Sequence, residues 1–354
     1  MIKIASVKTE SERNYSLDIA RVIAILLVVM IHASTSFVKN SAENTLTFLT
    51  GNIFDSVSRA GVPLFLMISG ALLLDESKNI TPKDMFRKAL ATIGLLIAWS
   101  IIYAVAFQLV FPILTGEPVV LFEFIKHAVA GHFHMWYLYM LVGIYLATPF
   151  LRCFVKKENS RLVLLYIAVS MISTYIRPLI NILVTIDDIF LYAQTILDKF
   201  RLDFFSCFIT YYLTGWYIVH IGIEKNISRK TAYLLGILSI AVVIGLTQIT
   251  GDYENMYSNS NILIYLYSSS IFLFINQVPS EKLAKNPKLI LTLSKLSFGV
   301  YIIHAAVNSL CEKYISGLPP LLHIGLQYTI VLVSSFFFSY ALSRIPFLKK
   351  LVRG

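Results

Sequence analysis

The stretch from Tyr15 to Ser34, Y-S-L-D-I-A-R-V-I-A-I-L-L-V-V-M-I-H-A-S, decides how the rest of the chain is read. From Val22 to Ile31 it is unbroken hydrocarbon, yet Asp18, Arg21 and His32 stand at its two ends. Wound as a helix, the 11 residues from Arg21 to His32 make three turns plus about 20°, so both side chains share one face ~16 Å apart. Asp18 lies within about 40° of that face. Ionisable groups inside a membrane span are costly and turn toward a bundle interior or a wet cavity, so this stripe is the first functional candidate. The small residues after His32 resemble a signal-peptide cleavage site. The apolar run exceeds the usual h-region and further spans follow, so a retained signal anchor is expected.

The same character extends over all 354 residues, of which 57% are hydrophobic and 14% charged, against about 25% charged in an ordinary soluble domain. Mean hydropathy is +0.72. Ten stretches are apolar enough to cross ~30 Å of hydrocarbon as helices, near 16–36, 53–74, 89–111, 135–151, 162–184, 203–222, 231–250, 261–276, 296–311 and 320–342. The expected fold is an all-α polytopic membrane bundle of about ten transmembrane helices, forming a single domain over 1–354 with a short cytoplasmic segment at 1–14. With the first residues inside, the inner segments hold 22 Lys and Arg and the outer ones six, so both termini are expected to be cytoplasmic. The net charge of +10 is therefore a topology signal and not a nucleic-acid footprint. The expected location is a cell membrane crossed many times, in bacteria the plasma membrane. Three cysteines define no disulfide framework, and whether Cys207 and Cys311 pair stays open.

Other spans also carry polar groups. The second, S-V-S-R-A-G-V-P-L-F-L-M-I-S-G, brings Arg59 in from the opposite side to about the depth of His32, with Gly61, Pro63, Ser69 and Gly70 permitting a backbone break and close helix approach. The fourth is preceded by His132-Phe133-His134. Without a third ligand nearby this pair does not make a metal site, and no metal is expected. Trp136 and Tyr139 fit an interfacial aromatic belt. In the ninth, S-F-G-V-Y-I-I-H places Tyr301 and His304 on one face by their i, i+3 spacing. Phosphate loops, nucleophile elbows, zinc helices and dinucleotide fingerprints are absent, which removes support for ATP-driven pumping and metallohydrolysis. A histidine aligned with an arginine suits proton abstraction from a hydroxyl beside an anionic donor.

These residues resemble the acyltransferase-3 family of integral membrane O-acyltransferases, close to its stand-alone members. The likeness rests on L-D-I-A-R followed by ten residues and His32, on R-A-G-V-P-L-F-L-M-I-S-G, on M-W-Y-L-Y-M-L-V-G-I-Y-L-A-T-P and on S-F-G-V-Y-I-I-H. It implies transfer of an acyl group, usually acetyl from cytoplasmic acetyl-CoA, to a hydroxyl of an envelope glycan or lipid-linked sugar. No permanently bound cofactor is implied; acyl-CoA is the donor substrate and the lipid bilayer the surrounding partner. The resemblance makes His32 the catalytic histidine and Arg21 a donor-binding or site-organising arginine. Arg59, Ser69, Trp136, Tyr301 and His304 fall on motif positions, and Asp18 joins them as a substrate-side residue. General-base and acyl-histidine routes both stay open. A transporter or flippase of an amphiphilic envelope precursor is the reading from another class, and a regulatory sensor on the same fold a third. The acceptor, the acyl chain and the oligomeric state are not readable.

Overall fold

The computed structural model describes residues 15–184, 187, 189–199, 205–222, 227–278 and 286–353. The expected segment 1–14, and Lys225, Lys282 and Lys285 of the basic loops, lie outside them. Of the described residues 84% are helical, and none is in a strand. In chain order the helices are α1 (Tyr15–Lys39), α2 (Leu46–Ser58), α3 (Gly61–Leu73), α4 (Pro82–Val105), α5 (Phe111–Thr115), α6 (Leu121–Ala130), α7 (Trp136–Phe154), α8 (Ser160–Ser170), α9 (Arg177–Val184), α10 (Ile189–Lys199), α11 (Cys207–His220), α12 (Arg229–Thr250), α13 (Tyr253–Met256), α14 (Ile262–Gln277), α15 (Pro287–Tyr314), α16 (Pro320–Arg344) and α17 (Lys349–Val352).

Among the described residues, eight stretches are long and apolar enough to cross a membrane: α1, α2 with α3, α4 with α5, α6 with α7, α8 with α9, α12, α15 and α16. Two of the ten expected spans come out short. Helix α14 has 16 residues, and the stretch expected at 203–222 is described as the 14-residue α11. At 1.5 Å per residue α11 covers only ~21 Å. Every residue from Thr210 to Ile218 is buried, so protein and not lipid surrounds it. A short apolar run of this kind reads equally as a span or as a core helix.

Backbone-to-backbone packing explains how α11 is held. A Cβ on Gly70 of α3 would stand 1.7 Å from the carbonyl oxygen of Tyr212, and one on Gly215 would stand 2.0 Å from that of Met67. Small residues that let two helices touch are the usual glue where lipid offers no hydrophobic drive between helices. The expected second span is interrupted at Arg59 and Ala60. Pro63 has no N–H to offer the carbonyl four residues back, so the ladder breaks there and α3 starts afresh at Gly61.

Helix α1 runs through the middle of the molecule. Leu17, Ala20 and Ala24 pack into a cluster with α3, α8, α11 and α14, while Ile25, Val28 and Val29 join another built from α4, α7, α15 and α16. Its remaining face is the polar stripe. Large apolar side chains such as Ile97 and Ile101 of α4, Ile237 of α12 and Phe337 of α16 are exposed, as a lipid-facing surface requires. At one end Arg152 closes the C-terminus of α3: Nη1 donates to the carbonyls of Leu73 (2.7 Å) and Asp75 (3.0 Å), and Nη2 to that of Lys78 (2.7 Å).

The close contact of α3 and α11 is testable. Gly215→Ala should cost about 1–3 kcal/mol or more through overpacking, whereas Gly143→Ala, with nothing within 4 Å of the new methyl, should not destabilise. Thermal unfolding of the two purified variants in detergent measures the difference.

Candidate active site

Two cavities open beside α1, one toward each of its ends. The first, of about 460 Å³, lies toward the end where α1 begins and is lined by Arg21, Phe65, Ser69, Tyr137, Lys295, Tyr301 and Arg353, among others. The second, of about 700 Å³, lies toward the end where α1 stops, and is lined by His32, Thr35, Lys39, Arg59, Tyr253, Glu254, Tyr257, Asn259, Asn308 and Glu312 with their neighbours. The polar face of α1 thus opens into two chambers instead of one continuous stripe. Arg21 faces the basic chamber and His32 the wide one.

A layer of rings separates them. His32 lies against His304, with ring centroids 5.0 Å apart, and against Phe133 at 5.3 Å. His304 in turn neighbours His134 at 5.4 Å and Tyr301 at 6.1 Å, and Tyr301 neighbours Tyr137 at 5.5 Å. The hydroxyl of Tyr301 donates to the carbonyl of His134 at 2.6 Å, tying α15 to the turn before α7. His304 is fully buried, and its Nδ1 sits 2.6 Å from the carbonyl of Tyr301. A carbonyl only accepts, so Nδ1 carries the proton and the lone pair is on Nε2. That Nε2 is buried with no hydrogen-bond partner among the described residues. His132 and His134 bring their Nδ1 atoms to 2.9 Å, so one donates to the other. No group of three or more His, Cys, Asp or Glu side chains among the described residues is arranged to hold a metal ion.

The charges are met by protein. Arg59 pairs with Asp55 at 2.5 Å, and its guanidinium lies 4.3 Å from the centroid of the Tyr257 ring. Asp55 is fully buried and also accepts from Thr35 Oγ1 at 2.8 Å, while Tyr257 donates to Asn52 at 2.8 Å. The Nε–H of Arg59 has no acceptor among the described residues. At the other end Ser294 Oγ donates to Asp18 at 2.7 Å and accepts from Arg21 at 3.3 Å; Asp18 and Arg21 are 4.0 Å apart. Asp18 is 5% exposed, so it is a buried organiser of Arg21 and not an anchor among headgroups.

The structure therefore brings His32 and Arg59 to one chamber, Arg21, Ser69 and Tyr301 to the other, and His304 to the layer between. Asp18 stands behind Arg21. Ser69 donates to the carbonyl of Phe65 at 2.9 Å while lining the basic chamber. Trp136 is not brought to either chamber. It is 41% exposed and rests against Phe208, ring centroids 5.8 Å apart, in keeping with a belt position. Sequence reasoning missed Asp55, Tyr257 and Ser294, and weighed His134 only as half of a metal-binding pair. Only Asp55 had a readable signal, its i, i+4 spacing to Arg59. Cys153, Cys207 and Cys311 are all free.

No curated protein and no solved structure matches the chain. The profile of a family described as an acyltransferase domain matches residues 14–344, nearly the whole length and every residue named above as lining the two chambers except Arg353. With a helical bundle of several membrane-length spans around these motifs, the chain belongs to the acyltransferase-3 family and is a multi-pass membrane acyltransferase.

Proposed function

We propose that the protein is an O-acyltransferase that takes an acyl group, in the simplest case acetyl, from acyl-CoA in the basic chamber and delivers it to a hydroxyl of an envelope glycan or lipid-linked sugar in the wide one. The position of His32 carries this reading. It lines the acceptor chamber while its ring rests on His304, one turn from the Tyr301 that lines the donor chamber. Donor and acceptor reach one imidazole from opposite sides. The lengths agree as well, since Arg21 and His32 are ~16 Å apart along α1 and a pantetheine arm is about as long as four extended peptide residues, ~14 Å. To pass, the arm displaces the rings of Tyr137 and Tyr301. The Lys and Arg distribution favours the basic end as the cytosolic one, where acyl-CoA is available.

The chemistry follows from the tautomer of His304. Its Nε2 lone pair is left without a partner beside the His32 ring; in this mechanism it takes an N–H from His32, which leaves the other nitrogen of His32 as a base toward the acceptor. The acceptor hydroxyl gives its proton to His32 as its oxygen attacks the thioester carbonyl carbon. The C–O bond forms, the C–S bond breaks, and the proton passes to the departing thiolate. Arg59, held by Asp55 and Tyr257, stabilises the oxyanion. The acceptor chamber combines the Tyr253 and Tyr257 rings with Asn259, Asn308 and Glu312, stacking faces and hydroxyl partners that suit a sugar.

His32→Ala should abolish transfer of labelled acetyl from acetyl-CoA in proteoliposomes, a loss of at least ~10²-fold. A labelled acyl group trapped on His32 with donor alone would instead assign the nucleophilic route. Movement of an acceptor across the bilayer without acyl transfer, unaffected by His32→Ala, would assign the chain to transport. His304→Gln, which keeps an acceptor atom, should retain more kcat than His304→Leu, with KM for acetyl-CoA unchanged in both.

Arg59→Gln strands a buried Asp55 and should cost about 3–5 kcal/mol of stability. The double variant Asp55→Asn/Arg59→Gln should regain the fold but stay ~10²-fold slow, as measured by thermal unfolding and acetyl transfer on the same preparation.

A further inference from the structure

The motif Ser297-Phe298-Gly299-Val300-Tyr301 holds a glycine in the middle of α15, where no turn requires one. A Cβ at Gly299 would stand 2.2 Å from Ser339 Oγ and 3.1 Å from the Cβ of Val352. The space is taken first by Ser339 of α16 and then by α17. Val352 is fully buried there, and the indole N–H of Trp99 donates to the carbonyl of Leu351 at 2.9 Å. Four residues are too few for a helix to be stable by itself, so it is these contacts with α4, α15 and α16 that pin it beneath the bundle.

Pinning α17 carries the next residue, Arg353, into the lining of the basic chamber beside Arg21 and Lys295. Among the described residues, no acidic side chain lines that chamber. The wide chamber, by contrast, sets Lys39 and Arg59 against Glu254 and Glu312. Three cations focused on one low-dielectric cleft raise the local concentration of anions and repel one another until an anion arrives. Arg21 is held by Ser294 and Asp18, while Lys295 and Arg353 are exposed at the mouth.

We infer that Arg21, Lys295 and Arg353 form the headgroup site of the donor, selecting a thioester carried on a phosphorylated nucleotide over the same thioester on bare pantetheine. Helix α17 is the element that completes the site by placing Arg353. The inference rests on the acyl transfer proposed above and assigns its donor selectivity to particular residues. Guanidinium groups bind phosphate oxygens through paired N–H donors, and the ammonium of Lys295 adds a point charge.

The test is acetyl transfer in proteoliposomes from acetyl-CoA, acetyl-dephospho-CoA and acetyl-pantetheine, by wild type, Arg353→Gln, Lys295→Gln, Arg353→Lys and Lys350→Gln. Arg353→Gln and Lys295→Gln should each raise KM for acetyl-CoA about tenfold, with kcat and the KM for acetyl-pantetheine unchanged. Arg353→Lys should recover part of the loss. Lys350→Gln, outside the chamber lining, should match wild type. Added salt should raise the wild-type KM for acetyl-CoA and not that for acetyl-pantetheine. An unchanged acetyl-CoA KM in Arg353→Gln overturns the inference, as does an equal rise for all three donors, which would mark a structural role. If wild type transfers from all three donors with one KM, the headgroup site falls and the acyltransferase reading stands. If it transfers from none, both fall.

Discussion

Hydrocarbon offers no partner to a charge, so each ionised group inside the bundle has to be met by the protein, and the architecture follows from how that is done. Asp55 is fully buried and answered by Arg59, Thr35 and, through Arg59, the ring of Tyr257. Those partners come from α1, α2 and the loop after α13, so the need to neutralise one carboxylate fixes three parts of the chain around the wide chamber. Asp18 does the same at the opposite end. Ser294 brings α15 against α1 and leaves the guanidinium of Arg21 turned to the basic chamber. Between these two knots α1 is apolar on both flanks, packed into separate clusters. Its polar face has nowhere to go but into the chambers.

The alignment of Arg21 with His32 was legible because a helix without glycine or proline keeps its angular register over three turns, and 25 residues of α1 do so here. The approach of Arg59 to the same region was legible from depth alone. What sits around these residues was not. Tyr257 is 198 positions from Arg59 and His304 is 272 from His32, and no local period relates residues that meet only through tertiary packing. The basic loops illustrate a different limit. Arg152 was weighed as one charge in a topology count, whereas in the fold it caps α3 through three carbonyls, a role that depends on where that helix ends. Span counting alone does not decide α11 for a similar reason. Hydropathy measures how apolar a stretch is, and a helix sealed inside protein is as apolar as one facing lipid.

Gly299 shows how much of a motif can belong to packing. Four of the residues in Ser297–His304 face the chambers or the layer between them, and the glycine instead makes room for Ser339 and Val352. A short run therefore serves the site directly through Ser297, Phe298, Tyr301 and His304, and indirectly by helping to seat the segment that carries Arg353.

The ring layer that divides the chambers has an electrical meaning. Wet cavities conduct the potential of the solution they open to, so a voltage applied across a ~30 Å bilayer falls mainly over the thin partition formed by His32, His304, Tyr301 and Tyr137. A unit charge crossing that partition does work of about 2.3 kcal/mol per 100 mV, whichever side is negative. Any net proton displacement through these imidazoles is thereby subject to the energised state of the membrane.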